Sequence, residues 1–225
     1  MGTSQAQPVE RIAILAPGEN SLVTTPIEIT AVVFPGDDGL IRVTLVDKHQ
    51  NLLTRQLLRV ESPSDTAIEF TTSLVFEIPA ETSTANLTIA TQDHLHRPLA
   101  LRSIGLDLAS SGEAQIQAQL ANDPWLTVTH PEPGAMIGES PMLITGTVRP
   151  INENPIVFEL LNERGGAIVS KQLAVGAPSE NLDFEFFLAY PPAANMRDMR
   201  LVIRQSAGWL GVEAILDSLP VTIIP

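Results

Sequence analysis

Asp93-His94-Leu95-His96 is the one metal-like spacing in this 225-residue chain. On a strand His94 and His96 would project to the same side, and two imidazoles with the Asp93 carboxylate could hold zinc. The plainer reading is a polar loop joining two strands. Pro98 follows closely, and Ser206-Ala207-Gly208-Trp209 occupies the matching place later in the chain without any ligand. The expectation is therefore no metal and no cofactor. Asp37-Asp38-Gly39 and Glu19-Asn20 lack the Asp-x-Asp-x-Asp spacing of a strong calcium loop and read as turns, which favour Asp and Gly. Trp209 stands between Gly208 and Gly211. Exposed on a loop it could stack on a sugar or anchor a partner; the alternative is that it folds over the end of the core. Trp125 begins a strand and is expected to pack at the junction of the two halves.

Nucleophilic and phosphate chemistry find no support. There is no cysteine, which also excludes disulfides, Cys-ligated zinc and iron–sulfur centres. No Gly-x-Ser-x-Gly elbow and no Gly-x-Gly-x-x-Gly loop is present. Glu61 with Asp65, and Asp183 with Glu185, read as solvated faces. Asn86-Leu87-Thr88 matches a glycosylation sequon, but Leu87 and Ile89 follow a buried pattern. No catalytic or cofactor-binding residue is expected, and the chain is read as non-enzymatic.

Charge narrows the partners. Thirteen Lys and Arg stand against 26 Asp and Glu, giving a net charge of -13. Nucleic acid and anionic membrane surfaces are disfavoured partners for such a chain. No run reaches the ~18 apolar residues that a membrane helix needs, so no direct membrane insertion is expected. Met1 to Pro8 has neither a charged n-region nor an apolar h-region and reads as a polar lead-in. That start fits either a cytoplasmic protein or one whose signal or anchor lies outside this sequence.

The elements that carry these residues come from a repeat. Shifted by about 115 residues, the halves match. Thr25-Pro26-Ile27-Glu28-Ile29-Thr30-Ala31-Val32-Val33 lies over Ser140-Pro141-Met142-Leu143-Ile144-Thr145-Gly146-Thr147-Val148, and Ile41 to Asp47 lies over Ile156 to Asn162. The period is two. Ile27, Ile29, Ala31 and Val33 alternate with polar or outward positions, as do Ile41, Val43 and Leu45, then Ile104, Leu106 and Leu108. The second half gives Ile144 and Val148, then Ile156, Phe158 and Leu160, then Phe184, Phe186, Leu188 and Tyr190, then Leu219, Val221 and Ile223. Such alternation marks strands with one face on a core. Pro-Gly, Asp-Gly and Gly-Gly pairs mark the turns. The expected fold is all-β: two tandem antiparallel β-sandwiches, 8–110 and 124–225, of about seven strands each, joined by a linker at 111–123.

The second half also resembles the immunoglobulin-like domain of bacterial spore-germination proteins. The resemblance rests on Leu126-Thr127-Val128-Thr129-His130-Pro131-Glu132-Pro133-Gly134, on Ser140 to Val148, and on Asn162-Glu163-Arg164-Gly165-Gly166. It extends more weakly to 11–108, where Ala31 and Asn51 replace two of the pattern's glycines. It implies an extracellular or cell-envelope bacterial module acting as spacer, scaffold or protein-interaction unit, with a protein or cell-wall partner and no catalytic residues. A carbohydrate-binding module using Trp209 is the alternative function, and a cytoplasmic location the alternative compartment.

Overall fold

The computed structural model describes residues 7–8, 10–61, 65–78, 81–117, 124–138, 140–176, 180–192, 194–207 and 212–225. All regular structure among them is strand. No helix among them is long and apolar enough to cross a membrane. After β1 (Gln7–Pro8) the first half supplies β2 (Ile12–Ala16), β3 (Ser21–Thr24), β4 (Ile27–Val33), β5 (Leu40–Asp47), β6 (Leu52–Arg59), β7 (Ile68–Leu74), β8 (Thr82–Gln92) and β9 (Pro98–Ala109). The second half supplies β10 (Leu126–His130), β11 (Ala135–Ile137), β12 (Met142–Val148), β13 (Ile156–Leu161), β14 (Ala167–Leu173), β15 (Leu182–Leu188), β16 (Arg197–Ser206) and β17 (Glu213–Ile223).

These strands form three sheets in a β-sandwich arrangement. One layer holds a three-stranded sheet, β2-β4-β7, and a four-stranded sheet, β1-β10-β12-β15. The other layer is a single ten-stranded sheet, β14-β13-β16-β17-β9-β8-β5-β6, with β3 added on β9 and β11 added on β17. All pairings are antiparallel except β3–β9 and β11–β17. The pairing order of β2 to β9 repeats in β10 to β17. Ala16-Pro17 and Thr25-Pro26 are cis, as are His130-Pro131 and Ser140-Pro141.

The alternating positions face inward. One apolar cluster includes Ile29, Val43, Leu87 and Leu106, and a second includes Ile144, Phe158, Leu201 and Val221. The second closes around edge-to-face rings, Phe158 against Phe184 at 5.2 Å and against Phe186 at 4.9 Å. Polar turn chemistry connects the strands. The Asp47 carboxylate accepts the backbone N–H groups of His49 and Asn51, and the Asn162 side chain accepts those of Arg164 and Gly166. Gln50 and Gly165 take the left-handed position in these two turns.

Three features depart from the sequence reading. Among the described residues each half, β1 aside, carries eight strands rather than seven, because β3 and β11 are short and pair in parallel, with too few residues to show a period. The lead-in is not wholly free of structure, since Gln7 pairs with Val128 and Pro8 with Thr127. The first-half chain thus begins on the second half's sheet. The polar-out expectation also fails on the central strands: Arg200, Val202, Leu216 and Ser218 are all buried on the face opposite the cores. On that face Val202 and Leu216 pack with Leu161 and Leu101 in a small apolar cluster, and Arg200 and Ser218 bond to Asp93 and to the Pro98 and Leu99 carbonyls. Of the 111–123 linker, Gln115 pairs with Leu22, and the Gln117 carbonyl accepts the Gly18 N–H; positions 118–123 lie outside the described residues.

Candidate functional site

The ionisable groups most removed from water gather where β9 meets β17. The register sets Arg102 opposite Ile215, Leu101 opposite Leu216 and Ala100 opposite Asp217. Arg102 has the parity of Ile104 and Leu106, and Asp217 that of Ile215 and Leu219. Both therefore stand on the core side of the shared sheet, at the seam between its halves. Trp125 Nε1 donates to Asp217 Oδ2 at 2.6 Å, and the Arg11 N–H donates to Oδ1 at 3.2 Å. Enclosure away from water disfavours the charged form and pushes the Asp217 carboxyl up to about 8. Burial likewise raises Glu10 and Glu19 and lowers Arg102, against the opposing pull of each other's charges.

The opposite face of the seam is closed by a charged knot. Asp93 is fully buried in the turn before β9. Its Oδ2 accepts Arg97 Nε at 2.7 Å and Arg200 Nε at 3.2 Å, while Oδ1 accepts the backbone N–H groups of Leu95 and Arg97. Arg97 Nη1 continues to the Asp198 carbonyl, and Arg200 Nη1 to the Ser218 hydroxyl. Burial opposes ionisation of Asp93, but the arginines and the N–H donors together hold its carboxyl below the usual range. One carboxylate from the first half is thus neutralised partly by a guanidinium from the second.

Beyond Arg102 the sheet forks. β9 leaves β17 after Arg102 and takes up β3 from Leu106 onward. At the fork the Gly105 N–H donates to Glu19 Oε1 at 3.0 Å, and its carbonyl accepts the Asn20 N–H. A cleft of about 530 Å³ opens here, lined by Glu19, Asn86, Arg102 and Ser103 from the first half and by Ile151 and Asn152 from the second. Arg102 is half-buried, and its Nη1 meets no acceptor among the described residues.

No family model matches this chain, and no curated protein does. Among solved structures it is similar to dimeric latent PorU from Porphyromonas gingivalis, at 10% identity and a TM-score of 0.28. That match covers 96% of this chain and 24% of the other, so this chain spans about a quarter of its length.

The residues singled out in the sequence are dispersed. His94 and His96 lie in an exposed turn rather than on a strand, so the same-side geometry considered for zinc does not form. Asp93 is turned away from them into the arginine knot. His94 Nδ1 lies 3.8 Å from Asp37 Oδ2, and no three His, Cys, Asp or Glu side chains cluster as metal ligands among the described residues. Trp209 lies outside the described residues. Trp125 packs at the seam through Asp217. Asp38 serves its own turn, accepting the Leu40 N–H and pairing with Arg42.

Sequence reasoning missed Arg102, Arg200 and Asp217. A signal existed for two of them: each puts a charge at a core-facing position of an otherwise apolar alternation. Arg200 left none, because on β16 it occupies the parity expected to face water.

Proposed function

We propose that the chain is a tandem pair of immunoglobulin-like β-sandwiches serving as a non-enzymatic spacer, scaffold or protein-interaction unit of a bacterial envelope or extracellular surface. The observation that carries this reading is the ten-stranded sheet running unbroken through both halves, with Asp93 held by Arg200 across the seam. A spacer must keep two attachment points at a fixed separation. A flexible tether between sandwiches would let them swing; a shared sheet with buried charge pairs on its seam resists bending, because opening it exposes or strands those charges. The N-terminal strand supports the same reading, since β1 pairs with β10 while β2 pairs with β4.

Small-angle scattering tests it. The chain should scatter as one rigid particle, and Asp93→Ala should broaden the distribution of particle dimensions. Two lobes moving independently in the unmodified protein would overturn the reading. A glycan array returning saturable binding that Trp209→Ala abolishes would replace it with the carbohydrate-binding alternative.

A further inference from the structure

The pairing order repeats between the halves, so each strand edge in one half has a counterpart in the other. β3 matches β11. Leu22 stands opposite Asp107 and Met136 opposite Thr222, both in parallel register. The Asn20 N–H donates to the Gly105 carbonyl, and the Gly134 N–H to the Pro220 carbonyl. Asn20 and Gly134 both take positive φ, 60° and 80°.

The outer edges of these two strands differ. On β3 the chain that follows β9 returns as a strap. Gln115 exchanges two backbone hydrogen bonds with Leu22, at 2.8 and 3.1 Å, and the Gln117 carbonyl accepts the Gly18 N–H. The Gln117 N–H donates to the Ser21 hydroxyl. On β11 the Ile137 carbonyl accepts the N–H of Ile224, just past β17. Alternation along the strand therefore turns the Met136 N–H and carbonyl to the opposite edge, where Leu22 meets Gln115 in the first half. No described residue pairs with Met136 on that edge. Burial agrees. Gly18, Ser21 and Val23 are buried, whereas their counterparts Glu132, Ala135 and Ile137 are exposed or half-buried. Met136 is 63% exposed. Ala135 and Ile137 also line a cleft of about 450 Å³, with Pro131, Pro133, Met142 and Leu143 among its other walls.

We propose that the outer edge of β11 is a docking site for an extended segment of a protein partner, which adds antiparallel to Met136 as Gln115 adds to Leu22. The first half shows what such an edge takes. Residues 111–117 are all exposed, so the strap is held by its backbone. The partner segment must then donate an N–H at its central residue, which excludes proline there. An apolar side chain at that residue lies across from Met136 and covers it. A second copy has no spare strap to give, because its own Gln115 is engaged by Leu22. The proposal rests on the reading of the chain as a protein-interaction unit and names the surface; the scattering test of rigidity is independent of it, so either can fail alone.

The test is fluorescence anisotropy of a labelled peptide titrated with the full chain. The peptide carries the strap sequence Ser111 to Gln117 with Gln115→Leu. It should bind saturably, and the same peptide N-methylated at that leucine should bind about tenfold more weakly or worse, because the lost donor leaves the Met136 carbonyl unpaired. Met136→Pro removes the N–H on the open edge without touching the bonds to β17, and should weaken the peptide by a similar factor. Met196→Ser, an equally exposed methionine elsewhere, should leave it unchanged. Near-UV circular dichroism verifies that the variants are folded, and the N-methyl comparison needs no variant. Absence of saturable binding, equal affinity for the two peptides, or a folded Met136→Pro chain that binds as before would each overturn the proposal. A concentration-dependent dimer that Met136→Pro dissolves would overturn it too, by making a second copy the occupant.

Discussion

Asp93 Oδ2 lies 3.2 Å from Arg200 Nε, although 107 residues separate them in the chain. Both side chains are buried, 0% and 6% exposed. Removing one member of such a pair strands the other in a place where water cannot replace it. Asp93→Ala strands two guanidiniums and also frees the N–H groups of Leu95 and Arg97. The expected loss is about 3–5 kcal/mol, read as a lower midpoint in urea. His94→Ala, one residue away with a 70% exposed side chain, should change stability by less than about 0.5 kcal/mol. Equal effects from the two variants would show that the knot does not hold the seam.

The pH dependence has a sign that the seam dictates. Asp217 titrates near 8 in the folded chain against an ordinary 3.8. Between those values the folded state holds a proton that the unfolded state has released. Stability contributed by this group is therefore complete below pH 4 and is lost as pH rises toward 8, with a slope of at most about 1.4 kcal/mol per pH unit. Glu10 and Glu19, also raised, act in the same direction. Asp93 acts oppositely: its stabilisation is present above pH 4 and lost as pH falls through its lowered folded value. Denaturant melts across pH 5 to 8 should show declining stability. Asp217→Asn should flatten that decline even though the amide cannot accept from both Trp125 and Arg11. An unchanged slope in the variant would remove Asp217 as its source.

Gly146 is required by packing rather than by its backbone angles. A Cβ there would lie 2.1 Å from the Thr127 carbonyl oxygen and 2.7 Å from Phe184 Cζ. Gly146→Ala should cost about 1–3 kcal/mol or more, because a carbonyl in a paired strand cannot step aside. The matching position in the first half is Ala31, wholly buried and tolerated. Ala31→Gly should cost only about 0.5–1 kcal/mol. If thermal melts ranked these two changes in the reverse order, the packing argument at Gly146 would fail.

The fold was legible where a strand has one wet face. Ile27 to Val33 and Ile156 to Leu160 alternate because each packs on a core from one side only, and burial follows the alternation residue by residue. It was illegible where strands are covered twice. Arg200 and Ser218 occupy positions that alternation assigns to water, but Arg200 is met there by Asp93 from the turn before β9, and the Ser218 hydroxyl donates to the Pro98 and Leu99 carbonyls, all distant in sequence. The reading of Asp93 to His96 as a loop has a local physical basis. Asp93 opens a tight turn, with its carboxylate capping the N–H groups of Leu95 and Arg97, and the turn breaks the strand period on which the spacing depended. The cleft was invisible for a related reason: its two walls come from different halves.

The register of β13 can be tested on adjacent residues. Phe158 is wholly buried and meets both Phe184 and Phe186 edge-on. Phe158→Ala removes the ring at the centre of that trio and leaves a cavity whose walls are held by paired strands, so relaxation is limited. The expected cost is about 3–5 kcal/mol. Glu159 points to the other face. There it accepts Arg204 Nε at 3.0 Å and Nη2 at 3.1 Å, and Arg204 also pairs with Glu213. Glu159→Gln keeps the shape, and Glu213 still balances the guanidinium. The pair is partly exposed, at 18% and 29%, so solvent screens its charge and the loss should stay below about 1 kcal/mol. A one-residue slip of β13 would exchange the two faces and reverse this order. Urea melts in which Glu159→Gln is the damaging change and Phe158→Ala the harmless one would require the second core to be rebuilt from the opposite set of side chains.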